Sequence, residues 1–382
     1  MTHSRITEIE YVRALAIALT FASHANFFVL NGDPSYIWLV TNIGQCWGGV
    51  DIFFCISGFV ISRQLWVTLD HAKIENRTTL ALAQFYVRRS FRILPIAFFW
   101  ATIILAASFL FNKSGAFGNP RDNFGSYFAA LFFYENIYLT THLFPQFSIY
   151  WSLAIEEQFY IIFPFLALIV APRYRWQAIM ILIGIQIFLP RPADQSNLFS
   201  MVRYDALLMG VAIYLWSETK NFLMFYRNKM VLRIVCLLLV FLVILIPVQL
   251  QKLWFFTGLM DLCAAAIVAI AALQAGVFNI RNEVCKSIVL WVGSRSYGLY
   301  VAHMPMIFIL KEINVRYGFP IIPDRVYDFR FVFMIISICI FAEVLYRNVE
   351  RPLRLVGIRI ANKMNSGRLY KLSSAEERNF AP

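Results

Sequence analysis

Long apolar stretches recur along this chain of 382 residues, and they constrain its fold more than any other feature. Hydrophobic residues make up 60% of the sequence and charged residues 15%, whereas soluble domains have about 45–50% and about 25%. The stretches lie at residues 9–30, 46–66, 94–112, 147–170, 176–190, 198–216, 231–248, 255–276, 288–310 and 329–346. Because backbone polar groups inside lipid must be satisfied within each segment, the sequence predicts an all-α, polytopic membrane helix bundle with about ten transmembrane helices.

The distribution of basic residues predicts how these helices are oriented. With both termini in the cytoplasm, 24 of the 34 lysines and arginines lie on the cytoplasmic side and 8 lie outside, in accord with the positive-inside rule. The segment 125–139 is short and contains Glu135 and Asn136, so we interpret it as an interfacial or re-entrant piece on the outer side. The predicted organisation is a transmembrane domain at 1–350 and a short basic cytoplasmic tail at 351–382. The predicted location is the inner (cytoplasmic) membrane, without a cleavable signal peptide.

Charge and cysteine content limit the range of partners. A net charge of +12 would suggest nucleic acid in a soluble protein, but basic cytoplasmic loops account for it in this chain. The six cysteines lie in or beside apolar stretches, and their spacings match no metal-binding pattern. We therefore expect membrane lipids around the protein, and neither a nucleic acid nor a metal ion bound to it.

Titratable residues inside the apolar stretches are the candidate functional residues, because ionisable groups at membrane depth are costly and usually functional. Arg13 and His24 lie eleven residues apart in the first stretch, so they share one helix face about 16 Å apart. With the predicted orientation, five helices place titratable groups in the outer half of the membrane: His24, Asp51, Glu156, Glu157, Arg203, Asp205 and His303. This common depth predicts an interior polar cavity open to the outer side. Interhelical ion pairs without chemistry are the alternative.

Spacing assigns these residues to helix faces. One face carries Ser152, Glu156 and Tyr160, and another carries Ser296, Tyr300 and His303. Glu157 points about 100° away from its neighbour's face, so it is the weaker candidate. Arg203 and Asp205 are two residues apart and cannot share a face of a regular helix. One of them is expected to serve the cavity and the other a neighbouring helix.

A basic cluster lies just before the third apolar stretch, on the predicted cytoplasmic side. It contains Arg88, Arg89 and Arg92, with three more basic residues between 63 and 77. Such a cluster attracts anionic lipid headgroups, at about 1 kcal/mol per residue. It also suits the phosphates of a cosubstrate, because arginine forks match phosphate oxygens. The residues alone leave both interpretations open.

Several short motifs resemble, in order, those of the acyltransferase-3 family of bacterial membrane proteins. They are Glu10-Tyr11-Val12-Arg13 running to His24, Gly49-Val50-Asp51-Ile52-Phe53-Phe54 with Ser57-Gly58-Phe59, Arg88-Arg89-Ser90-Phe91-Arg92-Ile93-Leu94-Pro95, Trp151 to Tyr160, Arg203-Tyr204-Asp205 through Gly210, Ser296-Tyr297-Gly298-Leu299-Tyr300 to His303 and Pro305, and Glu350-Arg351-Pro352. The resemblance covers about residues 5–355. The chain departs from the family pattern at Glu10, where Asp is common, and at Ala302, where an aromatic residue is frequent.

The resemblance implies a membrane O-acyltransferase. Such an enzyme moves an acetyl group, or another short acyl group, from cytoplasmic acyl-CoA to a hydroxyl of an extracytoplasmic or lipid-linked saccharide, such as lipopolysaccharide. Acetyl-CoA is then the cosubstrate, and no metal is involved. Some members carry an additional periplasmic hydrolase-like domain, and this chain is expected to act without one.

The chemistry of acyl transfer suggests a role for each candidate. His24 is the best base for the acceptor hydroxyl, and Asp51 or Glu156 is expected to fix its tautomer. Ser152, Arg203 or Tyr300 would polarise the carbonyl, and His303 is a second candidate base. The residues expected to contact acyl-CoA or the acceptor are Arg13, Arg88, Arg89, Arg92, Ser152, Tyr160, Arg203, Asp205, Tyr300 and His303.

Other functional classes stay open at this point. A transporter or flippase of a lipid-linked saccharide would use the same acidic residues as a proton relay. A scaffold would use the buried charges only to lock the bundle. An acyltransferase with a small-molecule acceptor is a closer alternative. The acceptor hydroxyl, the acyl group and the oligomeric state cannot be read from the sequence, nor can the choice between direct transfer and an acyl-enzyme.

Overall fold

The computed structural model describes residues 6–29, 32–142, 146–189, 191, 202–219, 221–222, 228–325 and 328–364. Every regular element within these residues is a helix, which confirms the predicted all-α class. The helices are α1 (Thr7–Ser23), α2 (Ala25–Phe28), α3 (Pro34–Asn42), α4 (Gly49–Ile74), α5 (Thr78–Leu110), α6 (Pro120–Leu131), α7 (Glu135–Tyr138), α8 (Tyr150–Ile169), α9 (Arg175–Ile187), α10 (Asp205–Ser217), α11 (Lys229–Gln249), α12 (Phe256–Ala272), α13 (Glu283–Tyr317) and α14 (Phe329–Leu345).

Membrane-spanning length is reached by five helices among the described residues. They are α4, α5, α8, α11 and the continuous helix Phe329–Met364, which contains α14. Helices α10 and α12 are apolar but shorter. Each of the ten predicted stretches overlaps a helix. The protein is therefore an all-helical membrane protein, and the count of about ten crossings stays a prediction.

Several helices begin at a residue whose side chain caps the first turn. Asn228, Asn282 and Asp328 precede α11, α13 and α14, and each side chain accepts a hydrogen bond from a backbone amide in the turn that follows. Short polar side chains at this position satisfy amides that have no partner within the helix. The helix starts are thus encoded locally, close to the beginnings of the apolar stretches.

The first helix ends before the apolar stretch does. Helix α1 stops at Ser23, and α2 begins at Ala25, so His24 occupies the bend between them with φ −96° and ψ 5°. The stretch 9–30 predicted a single continuous span. The bend changes the direction in which His24 projects, while Arg13 stays on the regular part of α1.

Helix α5 is longer than its apolar stretch predicted. It begins at Thr78 rather than near residue 94 and contains Pro95. Arg88, Arg89 and Arg92 therefore lie within the helix instead of in front of it. Hydropathy marks the part of a helix that suits lipid, whereas backbone hydrogen bonding continues through polar turns that face water or another helix.

Two close helix contacts bring the polar residues of α4 toward α10. A Cβ atom on Gly58 would lie 1.9 Å from the carbonyl oxygen of Leu207, and one on Gly210 would lie 2.1 Å from that of Cys55. Glycine at both positions permits the backbones to touch, as small residues do in membrane helix packing. A larger side chain at either glycine would force α4 and α10 apart.

The segment 125–139 forms two short helices rather than one. Helices α6 and α7 are separated by Phe133, which has a positive φ of 58°. Gln158 of α8 donates a hydrogen bond to the Phe133 carbonyl at 2.7 Å. The segment is too broken to be a regular span, and its interfacial or re-entrant placement stays a prediction.

The predicted boundary at residue 350 falls within a continuous helix. A π-helical turn at Tyr346–Glu350 follows α14, and the helix then runs to Met364. Gln84 of α5 donates a hydrogen bond to the Ala361 carbonyl at 2.8 Å. The first part of the predicted tail therefore packs against α5, and residues 365–382 lie outside the described residues.

Candidate active site

A pocket of about 90 Å³ lies where α1, α4, α5, α8 and α13 converge. Its lining combines arginines with hydroxyl groups and a carboxyl group. Its polar lining residues are Arg13, Ser57, Arg89, Arg92, Ser152, Glu156, Tyr160, Ser296, Tyr297 and Tyr300. The predicted faces of α8 and α13 thus meet across this pocket, except that His303 is not among its lining residues.

The carboxylate of Glu156 is held by two hydroxyl groups. Ser57 of α4 donates a hydrogen bond to Oε1 at 2.8 Å, and Tyr160, one turn further along α8, donates to Oε2 at 3.0 Å. The guanidinium of Arg89 lies over the Tyr160 ring at 4.9 Å. This arrangement fixes the carboxylate on the pocket wall. Glu157 is buried outside the pocket lining, as its spacing predicted.

A pair of hydroxyl groups faces the pocket beside this carboxylate. Ser152 Oγ and Tyr300 Oη lie 2.6 Å apart, and each is also within 3.2 Å of the Ile149 carbonyl oxygen. Because a hydroxyl has one proton and two lone pairs, the pair can turn a donor toward a group bound in the pocket. A hydroxyl donor in this position can stabilise a developing oxyanion, and both hydroxyls can donate once the hydrogen bond between them is given up.

The two candidate histidines contact each other. His24 Nδ1 lies 3.2 Å from His303 Nε2, and His303 Nδ1 lies 2.5 Å from the Tyr300 carbonyl oxygen. A carbonyl only accepts, so in the neutral pair His303 carries its proton on Nδ1 and accepts at Nε2. His24 then donates from Nδ1, which leaves its Nε2 with a free lone pair. We infer this assignment of the protons from the pattern of hydrogen bonds.

His303 therefore occupies the place expected for a carboxylate. Asp51 and Glu156 were the predicted partners of His24, but both carboxylates contact other residues. The ring of His303 also lies 5.7 Å from that of Tyr300, between centroids. His24 is thus connected to the pocket through His303 and Tyr300, which belong to one face of α13.

Asp51, Arg203 and Asp205 lie in a separate, buried ion network rather than in the pocket lining. Arg203 contacts Asp51 and lies 3.3 Å from Asp261 of α12. Arg191 lies 2.6 Å from Asp205 and 4.0 Å from Asp261. Arg203 and Asp205 both belong to this network, so the prediction that one serves the cavity and the other a neighbouring helix is wrong. Arg203 precedes the first turn of α10, where the periodicity of a regular helix does not apply.

Sequence reasoning missed two members of this network. Arg191 was assigned to an outer loop, and Asp261 was passed over although it lies within the apolar stretch 255–276. The signal for Asp261 was the same as for Asp51, namely a carboxylate inside an apolar helix. Arg191 carried no such signal, because it lies just outside the apolar stretches and its burial depends on contacts with other helices.

A second pocket, of about 280 Å³, adjoins the first and shares part of its lining. The two share Arg13 and Arg92, and the second adds Arg63 and Arg354. Arg13 Nη1 also lies 2.7 Å from Glu10. Of the predicted cluster, Arg89 and Arg92 reach the site, whereas Arg88 is exposed and lines neither pocket. We refer to the two adjoining pockets as the path; the second, wider pocket is lined by four arginines and also by Glu10 and Glu350.

Comparison with known proteins gives one family match. The sequence model of a family described as an acyltransferase domain matches residues 6–345. A Staphylococcus aureus protein named "Putative O-acetyltransferase" is 30% identical over 353 residues, which cover 83% of this chain and 54% of that protein. The "Peptidoglycan O-acetyltransferase OatA" of Listeria monocytogenes is 25% identical, with 92% of this chain and 56% of that protein covered. The chain spans about half the length of these relatives, and no solved structure matches it.

Proposed function

The chain belongs to the acyltransferase-3 family, and on that premise we propose that it is a membrane O-acetyltransferase that acetylates a saccharide hydroxyl. The observation that carries the proposal is the path through the two adjoining pockets. Arg13, Arg63 and Arg92 line its wider end, and the hydroxyls of Ser152 and Tyr300 line its narrow end. A long, narrow thioester with a phosphorylated head matches this lining, because its phosphates would lie against the arginines and its thioester against the hydroxyls.

Acetyl-CoA is the proposed donor. Arginine forks at the wider end would bind its phosphates, and the extended pantetheine arm would bring the thioester to Ser152 and Tyr300. The position of Arg89 and Arg92 in the pocket lining supports the interpretation of the basic cluster as a phosphate site. We propose that the protein lies in the inner membrane with both termini on the cytoplasmic side. It would cross the membrane about ten times and enclose an interior cavity.

The proposed reaction is attack of the acceptor oxygen on the thioester carbonyl. His24 Nε2 takes the proton of the acceptor hydroxyl as the new C–O bond forms. Ser152 and Tyr300 donate hydrogen bonds to the carbonyl oxygen while it carries negative charge. The C–S bond then breaks, and the CoA thiolate recovers the proton from His24. His303 holds the tautomer of His24 that leaves Nε2 free.

The acceptor is proposed to be an extracytoplasmic or lipid-linked saccharide. Two relatives have peptidoglycan in their printed names, and a surface polysaccharide or lipopolysaccharide offers the same hydroxyl chemistry. His24 is partly exposed, so an acceptor can approach it from outside the pocket. A saccharide entering there would meet the thioester beside Tyr300.

The decisive test replaces His24 with alanine. Mass spectrometry of surface glycans, with and without the gene and with each variant, measures the acetyl group. We expect His24→Ala to lower acetylation by about 10²–10⁴-fold while folded protein stays in the membrane. His142→Ala is the matched control, because His142 is exposed and stacks on Tyr138. Wild-type acetylation in the His24 variant would contradict the mechanism. Glycan transport without acetyl gain would instead support a flippase.

A further inference from the structure

A large groove lies between α1, α11 and α13, apart from the pockets of the proposed path. Its volume is about 800 Å³, within the range of about 300–1,000 Å³ typical of ligand pockets. Leu15 and Ala18 of α1, Leu237 and Val240 of α11 and Val289 of α13 form much of its wall. The groove is therefore mainly apolar along its length.

The groove faces the side of the bundle that lipid covers. Helix α11 is among the helices apolar enough to span the membrane. Leu237, which lines the groove, is 71% exposed, and its neighbours Leu238 and Phe241 are also exposed. Inside a bilayer, this apolar surface contacts hydrocarbon rather than water. A hydrocarbon chain is the occupant whose chemistry fits it.

One end of the groove is basic. Arg233 and Arg281 line it there, near the beginnings of α11 and α13. Arg233 donates from Nε to the Val277 carbonyl at 2.9 Å, and its terminal nitrogens have no partner among the described residues. Glu8 accepts a hydrogen bond from the Phe278 amide at 3.2 Å. Glu283, two residues from Arg281, pairs with Lys286, and neither acid lines the groove. The two guanidinium groups thus exceed the acidic charge at this end.

The apolar wall extends away from these arginines along the helices. Arg233 and Val240 are seven residues apart on α11, which corresponds to about 10 Å. Leu15 and Ala18 run in the same direction from the beginning of α1. A molecule with an anionic head and a hydrocarbon tail matches this order of charge and apolar surface.

We propose that the groove is a binding site for an anionic phospholipid. Its phosphate contacts Arg233 and Arg281, and one acyl chain lies against α1 and α11. A guanidinium group can bind two phosphate oxygens at once, and the affinity for an anionic headgroup rises about fivefold per basic residue near the surface. The site is independent of the proposed acetyl transfer, because none of its residues lines the path to Tyr300.

The test uses the full chain in nanodiscs of phosphatidylcholine that contain a trace of phosphatidylglycerol with a photoreactive group in its acyl chain. Irradiation followed by peptide mapping locates the tail. We expect crosslinks on α1 and α11 near Leu15 and Val240. Unlabelled phosphatidylglycerol should compete with the probe, whereas soluble glycerol phosphate and additional phosphatidylcholine should not.

Variants separate the head from the tail. The double variant Arg233→Gln, Arg281→Gln should lower crosslinking by about thirty-fold, whereas lysine at both positions should keep most of it. Ala18→Trp should block the tail. Arg173→Gln is the matched control, because Arg173 is exposed on the same predicted side and lines none of these pockets.

Three outcomes would overturn the proposal. The first is wild-type crosslinking in the double glutamine variant when it is monodisperse. The second is displacement of the probe by glycerol phosphate, which would mean a site for free phosphate. The third is the absence of probe crosslinks on α11 in nanodiscs that hold two copies of the chain, which would mean that a second copy covers the groove.

Discussion

The ion network and the pocket both gather polar side chains from several helices, but they differ in how their polar groups are compensated. In the network, Arg191 and Arg203 contact carboxylates of three helices, and all of these side chains are buried. In the pocket, Ser57, Glu156 and Tyr300 are only partly buried and face an open volume. In the network the buried charges are thus paired with one another, whereas in the pocket the polar groups are accessible to a ligand.

Depth in the membrane therefore does not identify a reacting group unless the partners of that group are also known. Asp51 and Glu156 were predicted at similar depth on neighbouring helices. Asp51 is matched by an arginine within the protein, whereas Glu156 is held by neutral hydroxyls beside an opening. The network is suited to holding α4, α10 and α12 together, and the pocket is suited to chemistry.

The largest expected effect comes from removing the arginine between two carboxylates. Arg203→Ala leaves Asp51 without its charge partner. Among the described residues it leaves Asp261 with only Arg191, at 4.0 Å. Breaking a buried pair in this way costs about 3–5 kcal/mol. We expect the folded protein to be lost or its thermal unfolding in detergent to shift strongly downward. Arg173→Ala is the control, since Arg173 is exposed. An unchanged unfolding temperature for Arg203→Ala would show that the network does not stabilise the bundle.

Glu312 lies beyond the predicted span 288–310, and its carboxylate can be compared with those of the network and of the pocket. Burial would raise its pKa, but hydrogen bonds from Ser114 and Lys113 and from Arg316 lower it from 4.5 to about 2. A lowered pKa contributes stability that is present above about pH 4.5 and is lost as the pH falls toward 2. We expect about 3 kcal/mol at neutral pH, because one pKa unit corresponds to about 1.4 kcal/mol.

Unfolding of wild type and Glu312→Gln across pH 2–7 measures this contribution. The difference between the two proteins should be largest at pH 7 and should shrink below pH 4.5. A difference that does not depend on pH would mean that the glutamine perturbs packing rather than charge.

The carboxylate on the pocket wall should matter for activity more than for stability. Glu156→Gln keeps the size of the side chain but removes the charge that Ser57 and Tyr160 hold. We expect acetyl transfer to fall by about a hundredfold, which corresponds to about 2.7 kcal/mol, with a small change in unfolding temperature. Glu157→Gln is the matched neighbour outside the pocket lining, and its transfer rate should stay close to that of wild type. Equal transfer rates for both variants would mean that the position of Glu156 in the pocket lining does not matter for activity.

The smallest effect is expected for a single hydroxyl of the donor pair. Tyr300→Phe removes one hydrogen bond to the carbonyl oxygen, while Ser152 remains. We expect kcat to fall by about tenfold, or about 1.4 kcal/mol, with KM little changed. A rise in KM at constant kcat would mean that Tyr300 contributes to binding rather than to the transition state.

Part of the site could be predicted because its signals are local. Ser152, Glu156 and Tyr160 line one pocket as their spacing predicted, because residues four apart share a helix face. The arrangement of His24 could not be predicted, because the bend after Ser23 decides where its ring points. Its partner His303 comes from a helix 279 residues away in sequence.

Hydropathy and residue spacing along the chain were enough to predict the helical class, the membrane setting and which side chains share a face. These properties follow from hydropathy and from the 3.6-residue period, which act within one segment. In contrast, the contact of Asp51 with Arg203 and the burial of Arg191 against Asp205 became evident only from the packed helices. Such pairings depend on where helices touch, and glycine contacts such as that of Gly58 with Leu207 set those positions between segments distant in sequence.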